Sequence, residues 1–215
     1  MSKMKDPLFS ATNMQLLKEP LNKNNPITVQ VLGICSALAI TVQLKPSVIM
    51  ALSVVFVMGF SNLIVSLLRK TIPVRIRIIL QLMVIASLVV IVDQVLKAYM
   101  FDVSKQLSVF VGLIITNCII MGRLEAFALK NKPWPSLLDG LGNAAGYGVI
   151  LVIVGFFREL FGSGTIWGYQ VVPEGVYGIG YENNGLFILP PMALIIVGII
   201  IWIQRYRNRE LIEEK

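Results

Sequence analysis

From Val48 to Leu68 the chain runs for 21 residues without a charge. A helix rises ~1.5 Å per residue and a bilayer core is ~30 Å thick, so about 20 apolar residues cross it. No water reaches backbone N–H and C=O groups in hydrocarbon, and only helices or closed barrels satisfy them there. An unbroken apolar run, without the alternation of a barrel strand, predicts a helix. The same bias extends over the whole chain: 56% of its 215 residues are hydrophobic and 14% charged, against about a quarter charged in a soluble domain. The chain reads as an integral membrane protein.

Five further apolar segments flank this one. The first runs from Ile27 to Val42, opened by Asn25-Pro26 and stopped before Lys45-Pro46. Asn caps free N–H groups, and Pro at a first helical position loses no hydrogen bond. The third spans about Ile76 to Leu96, with Arg75 and Arg77 at its start and Asp93 and Lys97 at its far interface. The fourth, Ser108 to Met121, is closed by Gly122-Arg123. The fifth runs from about Leu137 to Phe157 and is preceded or opened by small residues, among which Gly142 and Gly146 admit another backbone. The sixth, Leu186 to Ile203, holds Pro190-Pro191 near its start, which predicts a kink there. Sixteen residues from Ile27 and fourteen from Ser108 cover only ~24 and ~21 Å as helix, too little for a full span.

The predicted architecture is an all-α integral membrane protein of six transmembrane helices, arranged as two inverted three-helix repeats. The first and fourth helices are short or broken, and undersized segments at matching places in two halves mark a midplane site. Residues 1–24 are an N-terminal tail with a short amphipathic turn around Met14 to Leu17. Residues 25–204 form the membrane domain, with repeats at about 25–98 and 105–204, and residues 205–215 form a basic tail. With six spans both termini share one side, and that side then holds fifteen of the nineteen Lys and Arg residues; only Lys45, Lys97, Lys105 and Arg158 fall opposite. Positive charge is retained in the cytoplasm, so both termini are expected there. The net charge of +7 is thus orientation chemistry spread between spans, and it does not point to nucleic acid.

The chain has no histidine and two cysteines, Cys35 and Cys118, one in each undersized segment. Histidine metal sites, histidine bases and histidine triads are excluded. Two cysteines make no disulfide framework. Three readings of the pair are open: inert apolar fillers, a disulfide, or metal ligands. A reducing cytoplasm and a lipid setting disfavour the second. In the third, an iron–sulfur cluster takes four thiolates, so a chain with two must share the metal with a partner that brings two more. Gly33 and Gly112 admit a close approach of backbone to such a cluster, and Thr116-Asn117 offer hydrogen bonds to sulfur or to a neighbouring helix.

Other polar residues read as structural. Asn62, Gln81 and Asn143 suit helix–helix hydrogen bonding, Arg123, Glu125 and Asp93 suit an interface, and Trp134 and Trp202 suit an aromatic belt. Ser163-Gly164-Thr165 lacks the alanine of a flavin-attachment signal. There is no phosphate loop, dinucleotide fingerprint or nucleophile elbow. The chain is therefore expected to bind neither NADH nor flavin and to hold no catalytic residue of its own. A small secondary transporter is a rival class, but no midplane charged group stands out for it.

Four stretches carry a family resemblance. They are Asn25-Pro26 with Val31 to Ala39, Asp93 to Tyr99, Ile114 to Cys118 with Met121 to Phe127, and Gly155 to Gly164. Together they resemble the family of D subunits of the sodium-translocating NADH:quinone reductases of bacteria, across roughly Asn24 to Arg205. The homologous subunits of Rnf-type ferredoxin:NAD reductases are the near alternative. The resemblance implies a multi-pass component of the bacterial inner membrane. It implies a [2Fe–2S] cluster held by Cys35, Cys118 and two cysteines of the homologous E subunit, which has the opposite topology. It further implies electrons arriving from the NADH-oxidising F subunit, passing toward the flavin-carrying C and B subunits and on to ubiquinone, with sodium export coupled to the flow.

Overall fold

A computed structural model describes residues 11–22, 24–73, 75–99, 112–170 and 185–207. Among these the α-helices are α1 (Ala11–Asn22), α2 (Ile34–Ile40), α3 (Leu44–Leu68), α4 (Arg77–Tyr99), α5 (Cys118–Arg123), α6 (Pro133–Ser163) and α7 (Pro190–Arg207). A helical turn covers residues 112–115, a π-helical turn Leu124–Ala128 extends α5, and a 3₁₀ turn Gly185–Ile188 leads into α7. A two-residue hairpin, β1 (Thr165–Ile166) and β2 (Tyr169–Gln170), follows α6. The expected residues 1–10 of the tail, the connector 100–106, the start of the fourth segment at 108–111, the loop at 171–184 and the tail end 208–215 lie outside the described residues.

The frame is the antiparallel pair α3 and α6. Lipid offers no hydrophobic drive between spans, so close packing at small residues holds them. A side chain at Gly155 would stand 2.9 Å from Ser47 Oγ, at Gly148 3.1 Å from Ala51, and at Gly140 2.9 Å from the Met58 carbonyl. The two helices thus touch along their length. Polar glue reinforces them, as expected of Asn62, whose Nδ2 donates to the Ser136 carbonyl at 3.1 Å. Met50, Val54, Val57 and Met58 of α3 are fully buried against Ala144, Tyr147, Leu151 and Val154 of α6.

α4 buries Gln81, Ile85 and Val89 fully, a single i, i+4 stripe flanked by the partly buried Val84, Leu88 and Val92. Its other faces lie open to lipid or to another chain. Gln81 reaches Glu125 at 3.3 Å, and Asp93 pairs with Lys97 one turn on, at 2.6 Å. The Gly142 and Gly146 stripe does admit another backbone, and it is that of α1: an added Cβ would stand 2.7 Å from the Leu16 carbonyl and 2.5 Å from that of Pro20. The amphipathic turn read at Met14–Leu17 is therefore part of a helix docked on α6.

Among the described residues three helices, α3, α4 and α6, are long and apolar enough to cross a membrane. They answer to the second, third and fifth predicted segments, each extended. α3 begins at Leu44, because Lys45 and Pro46 are tolerated in a first turn. α6 runs on through Arg158 to Ser163, where Gly164 (φ 65°) ends it. Gly122-Arg123 does not close the fourth segment; α5 passes through both into the π turn. Pro190-Pro191 do not kink a helix either. They open α7, where their missing N–H groups cost nothing.

Candidate metal centre

Both cysteine segments are interrupted rather than merely short. In the first, Asn25 caps as expected: its Oδ1 accepts from Ile27 N–H at 3.0 Å and Thr28 N–H at 3.3 Å, while its Nδ2 holds the Gly146 carbonyl at 3.1 Å. The turn it starts does not propagate. Val31 (φ 57°) and Gly33 (φ 78°) both take the left-handed region, which reverses the chain before α2. Such a φ is rare for a β-branched residue and natural for glycine. Cys35 is the second residue of α2. In the other half the helical turn at 112–115 stops at Thr116, whose hydroxyl bonds back to the Gly112 carbonyl at 3.1 Å. Asn117 then caps α5, its Oδ1 accepting from Ile119 N–H at 3.2 Å, and Cys118 is the first residue of that helix.

The two breaks meet. Gly33 N–H donates to Cys118 Sγ at 2.8 Å, so the second thiol meets the backbone two residues before Cys35. Of the expected pairings, Thr116 and Asn117 bond within their own turn, and the amide that reaches sulfur belongs to Gly33. Gly112 has open space around it, whereas Gly33 is tightly enclosed. An added Cβ there would fall 2.5 Å from Ile119 Cδ1 and 3.2 Å from Tyr147 Cε2. Gly33→Ala is expected to cost about 2 kcal/mol or more, from left-handed strain plus overpacking. Thermal unfolding of the purified assembly measures it, and an unchanged midpoint contradicts this geometry.

Cys35 and Cys118 are both free and both exposed on the surface of the chain. The sequence placed them inside apolar runs away from water, and they are indeed on apolar helices, but on a face that the described residues leave uncovered. The donor set fits a shared metal. Sulfur is the soft ligand for iron–sulfur chemistry, the chain holds no histidine, and among the described residues no three Cys, Asp or Glu side chains gather. A metal at these thiols finds no third such ligand among the described residues, and open thiols leave room for ligands from another polypeptide.

Sequence reading missed the polar groups behind the thiols. Tyr147, fully buried, bonds Ser36 Oγ at 2.7 Å. Arg158, placed by the charge count in an outer loop, is fully buried. Its Nη1 donates to the Leu38 carbonyl at 3.1 Å and to Thr41 Oγ1 at 2.7 Å; Nε donates to the Phe187 carbonyl at 3.1 Å and Nη2 to that of Ile188 at 2.5 Å. Glu159, beside it, accepts from Leu44 N–H at 2.5 Å, Gly168 N–H at 3.1 Å and Thr165 Oγ1 at 3.2 Å. One residue closes the C-terminal end of α2 and the next opens α3. Arg123, expected at an interface, turns inward onto buried Asp139, which Asn143 also contacts at 3.2 Å. The available signal was an adjacent Arg-Glu pair continuing an apolar run, since ionisable residues in spans are rarely incidental.

Long apolar helices, a small-residue seam and two thiols exposed at helix breaks define an integral membrane protein built to work with partner chains. The chain belongs to a family described as Rnf-Nqr subunit, membrane protein, whose model matches residues 13–201. It is 56% identical over 200 residues to the D subunit of the Na(+)-translocating NADH-quinone reductase of Psychromonas ingrahamii, an alignment covering 93% of this chain and 95% of that one. Relatives of the same description in Shewanella sp. (strain W3-18-1) and Shewanella putrefaciens are each 54% identical over 201 residues, 94% of this chain and 96% of theirs.

Proposed function

We propose that the chain is the D subunit of a Na(+)-translocating NADH-quinone reductase, and that Cys35 and Cys118 supply two of four ligands to a [2Fe–2S] cluster completed by a homologous partner. The observation that carries this is the meeting of the two breaks at the Gly33 N–H to Cys118 Sγ bond, with both thiols on an uncovered face. The relatives' shared description supports the complex, and the donor set is compatible with the metal. Such a cluster exchanges one electron at a time, which suits a component relaying electrons across the inner membrane between the NADH-oxidising side and the flavin and ubiquinone side.

This chain's own residues perform the positioning. Gly33 and Asn117 end the two turns so that each thiol opens a short helix, and the Gly33 amide faces sulfur, where a donor stabilises added negative charge. The order of break, cysteine helix and long helix recurs in both halves, as α2–α3 and α5–α6, which supports the reading of two inverted three-helix repeats. The positive bias of the described ends and loops supports cytoplasmic termini.

The test is the iron and acid-labile sulfide content of the co-purified D and E subunits. Two irons and two sulfides per pair are expected, and none on this chain alone. A metal-free pair in an active complex overturns the ligand assignment. A stoichiometric cluster on this single chain overturns the sharing.

A further inference from the structure

We propose that Tyr147 is a positioning residue for both thiols: its buried hydroxyl, acting through Ser36, fixes the Gly33 turn that aims an amide at the Cys118 sulfur. The inference rests on the cluster reading above and adds to it the group that sets the local geometry.

The hydrogen-bond directions make the argument. Ser36 Oγ donates to the Gly33 carbonyl at 2.9 Å. A hydroxyl has one proton, so Ser36 has none left for Tyr147. At their 2.7 Å contact Tyr147 therefore donates and Ser36 accepts. Order then passes one way, from the Tyr147 O–H to Ser36 Oγ–H to the carbonyl of Gly33, while the amide on the other side of Gly33 donates to Cys118 Sγ at 2.8 Å. The Gly33 carbonyl also accepts from Ala37 N–H at 3.1 Å, so one peptide plane flanking Gly33 is held by the first turn of α2 together with the tyrosine's chain of bonds, and the other by the sulfur. The φ of 78° at Gly33 is the conformation these bonds hold between them.

Tyr147 also packs on the turn, where an added Cβ at Gly33 would stand 3.2 Å from its ring. At the second break, Asn117 Nδ2 is buried with no acceptor in hydrogen-bonding geometry among the described residues. One side chain of α6 thereby touches the turn before Cys35, whose amide reaches the Cys118 sulfur. Packing alone needs no hydroxyl at this place; burying one costs free energy unless it is bonded.

The test uses the whole purified complex carrying Tyr147→Phe or Ser36→Ala, each of which keeps the local volume. A hydrogen bond to sulfur favours the reduced, more negative cluster, so loosening the amide lowers the midpoint. Both variants are expected to retain wild-type iron, to show an altered line shape in electron paramagnetic resonance, and to favour the oxidised form roughly fivefold, about what one hydrogen bond supplies. The double variant should add little to either single one, because the two act in series. Unshifted midpoints and line shapes with full iron overturn the role of Tyr147 and leave the cluster reading intact. A wild-type complex without iron overturns the cluster reading itself. If Tyr147→Phe fails to assemble, Ser36→Ala decides: a lowered midpoint supports the proposal and an unshifted one overturns it.

Discussion

Cys118→Ser is expected to leave the chain folded and inserted, and to lower NADH-driven quinone reduction by roughly 100-fold or more. The two halves of that expectation have separate causes. Folding survives because serine is nearly isosteric and its oxygen accepts the Gly33 amide that the sulfur now accepts at 2.8 Å. The thiol is exposed, so no cavity opens in the interior. Electron transfer fails because a neutral hydroxyl is a poor replacement for a thiolate on iron. Losing even an outer partner of a metal ligand costs roughly 10- to 100-fold, and losing the ligand costs more. Cys35→Ser is expected to behave alike, and the paired variant no worse, since one missing ligand already empties the site. Quinone reduction in membranes, chain level by immunoblot, and the reduced-state paramagnetic signal measure the three parts. Wild-type rates from either single variant in an assembled complex would falsify the ligand assignment.

The sequence exposed the spans and the thiols but hid what joins them. α3, α4 and α6 were legible because long, mostly apolar runs without strand alternation form helices in lipid. Their ends were read too short. Hydropathy stops at Lys45 or Arg158, whereas a helix stops where its backbone finds other partners. The undersized Ile27–Val42 and Ser108–Met121 runs were informative for a good reason: neither has the length for a span, and each proves to be interrupted. The positions of the breaks carried local signs, Gly33 before one cysteine and Asn117 before the other. The bond between Gly33 and Cys118 had none, because 85 residues separate them. The Gly142 and Gly146 stripe announced a close backbone and not whose. It is filled by α1, whose polar composition suggested a free tail. Tyr147 was one hydroxyl in a long apolar run, and nothing in its spacing indicates two turns that approach it only in the folded chain.

Arg158→Met should produce the largest loss of stability of any single substitution considered, about 3–5 kcal/mol, the scale of several buried acceptors losing one shared charged donor. The opposing effect is real, since the change also relieves the desolvation of a guanidinium that is fully buried. What decides is the fate of the acceptors. The carbonyls of Leu38, Phe187 and Ile188 lose the arginine donor together, at about 1–3 kcal/mol for each one left unsatisfied. Leu38 lies in the last turn of α2, where carbonyls have no partner within the helix. Thr41 cannot substitute as donor, because its hydroxyl is committed to the Ala37 carbonyl at 2.6 Å. Methionine fills the space and offers nothing to any of them. Lysine keeps the charge but presents a point donor where a planar fork now spans two segments, so Arg158→Lys should recover only part of the loss. The consequence reaches the thiols: α2 has seven residues, and freeing its C-terminal end loosens Cys35 at the other. Arg158→Met is therefore expected to lower the unfolding midpoint of the purified complex and its iron content together. Full iron with a lowered midpoint would confine Arg158 to the fold; an unchanged midpoint would show that the carbonyls find donors elsewhere and that this clamp does not hold α2.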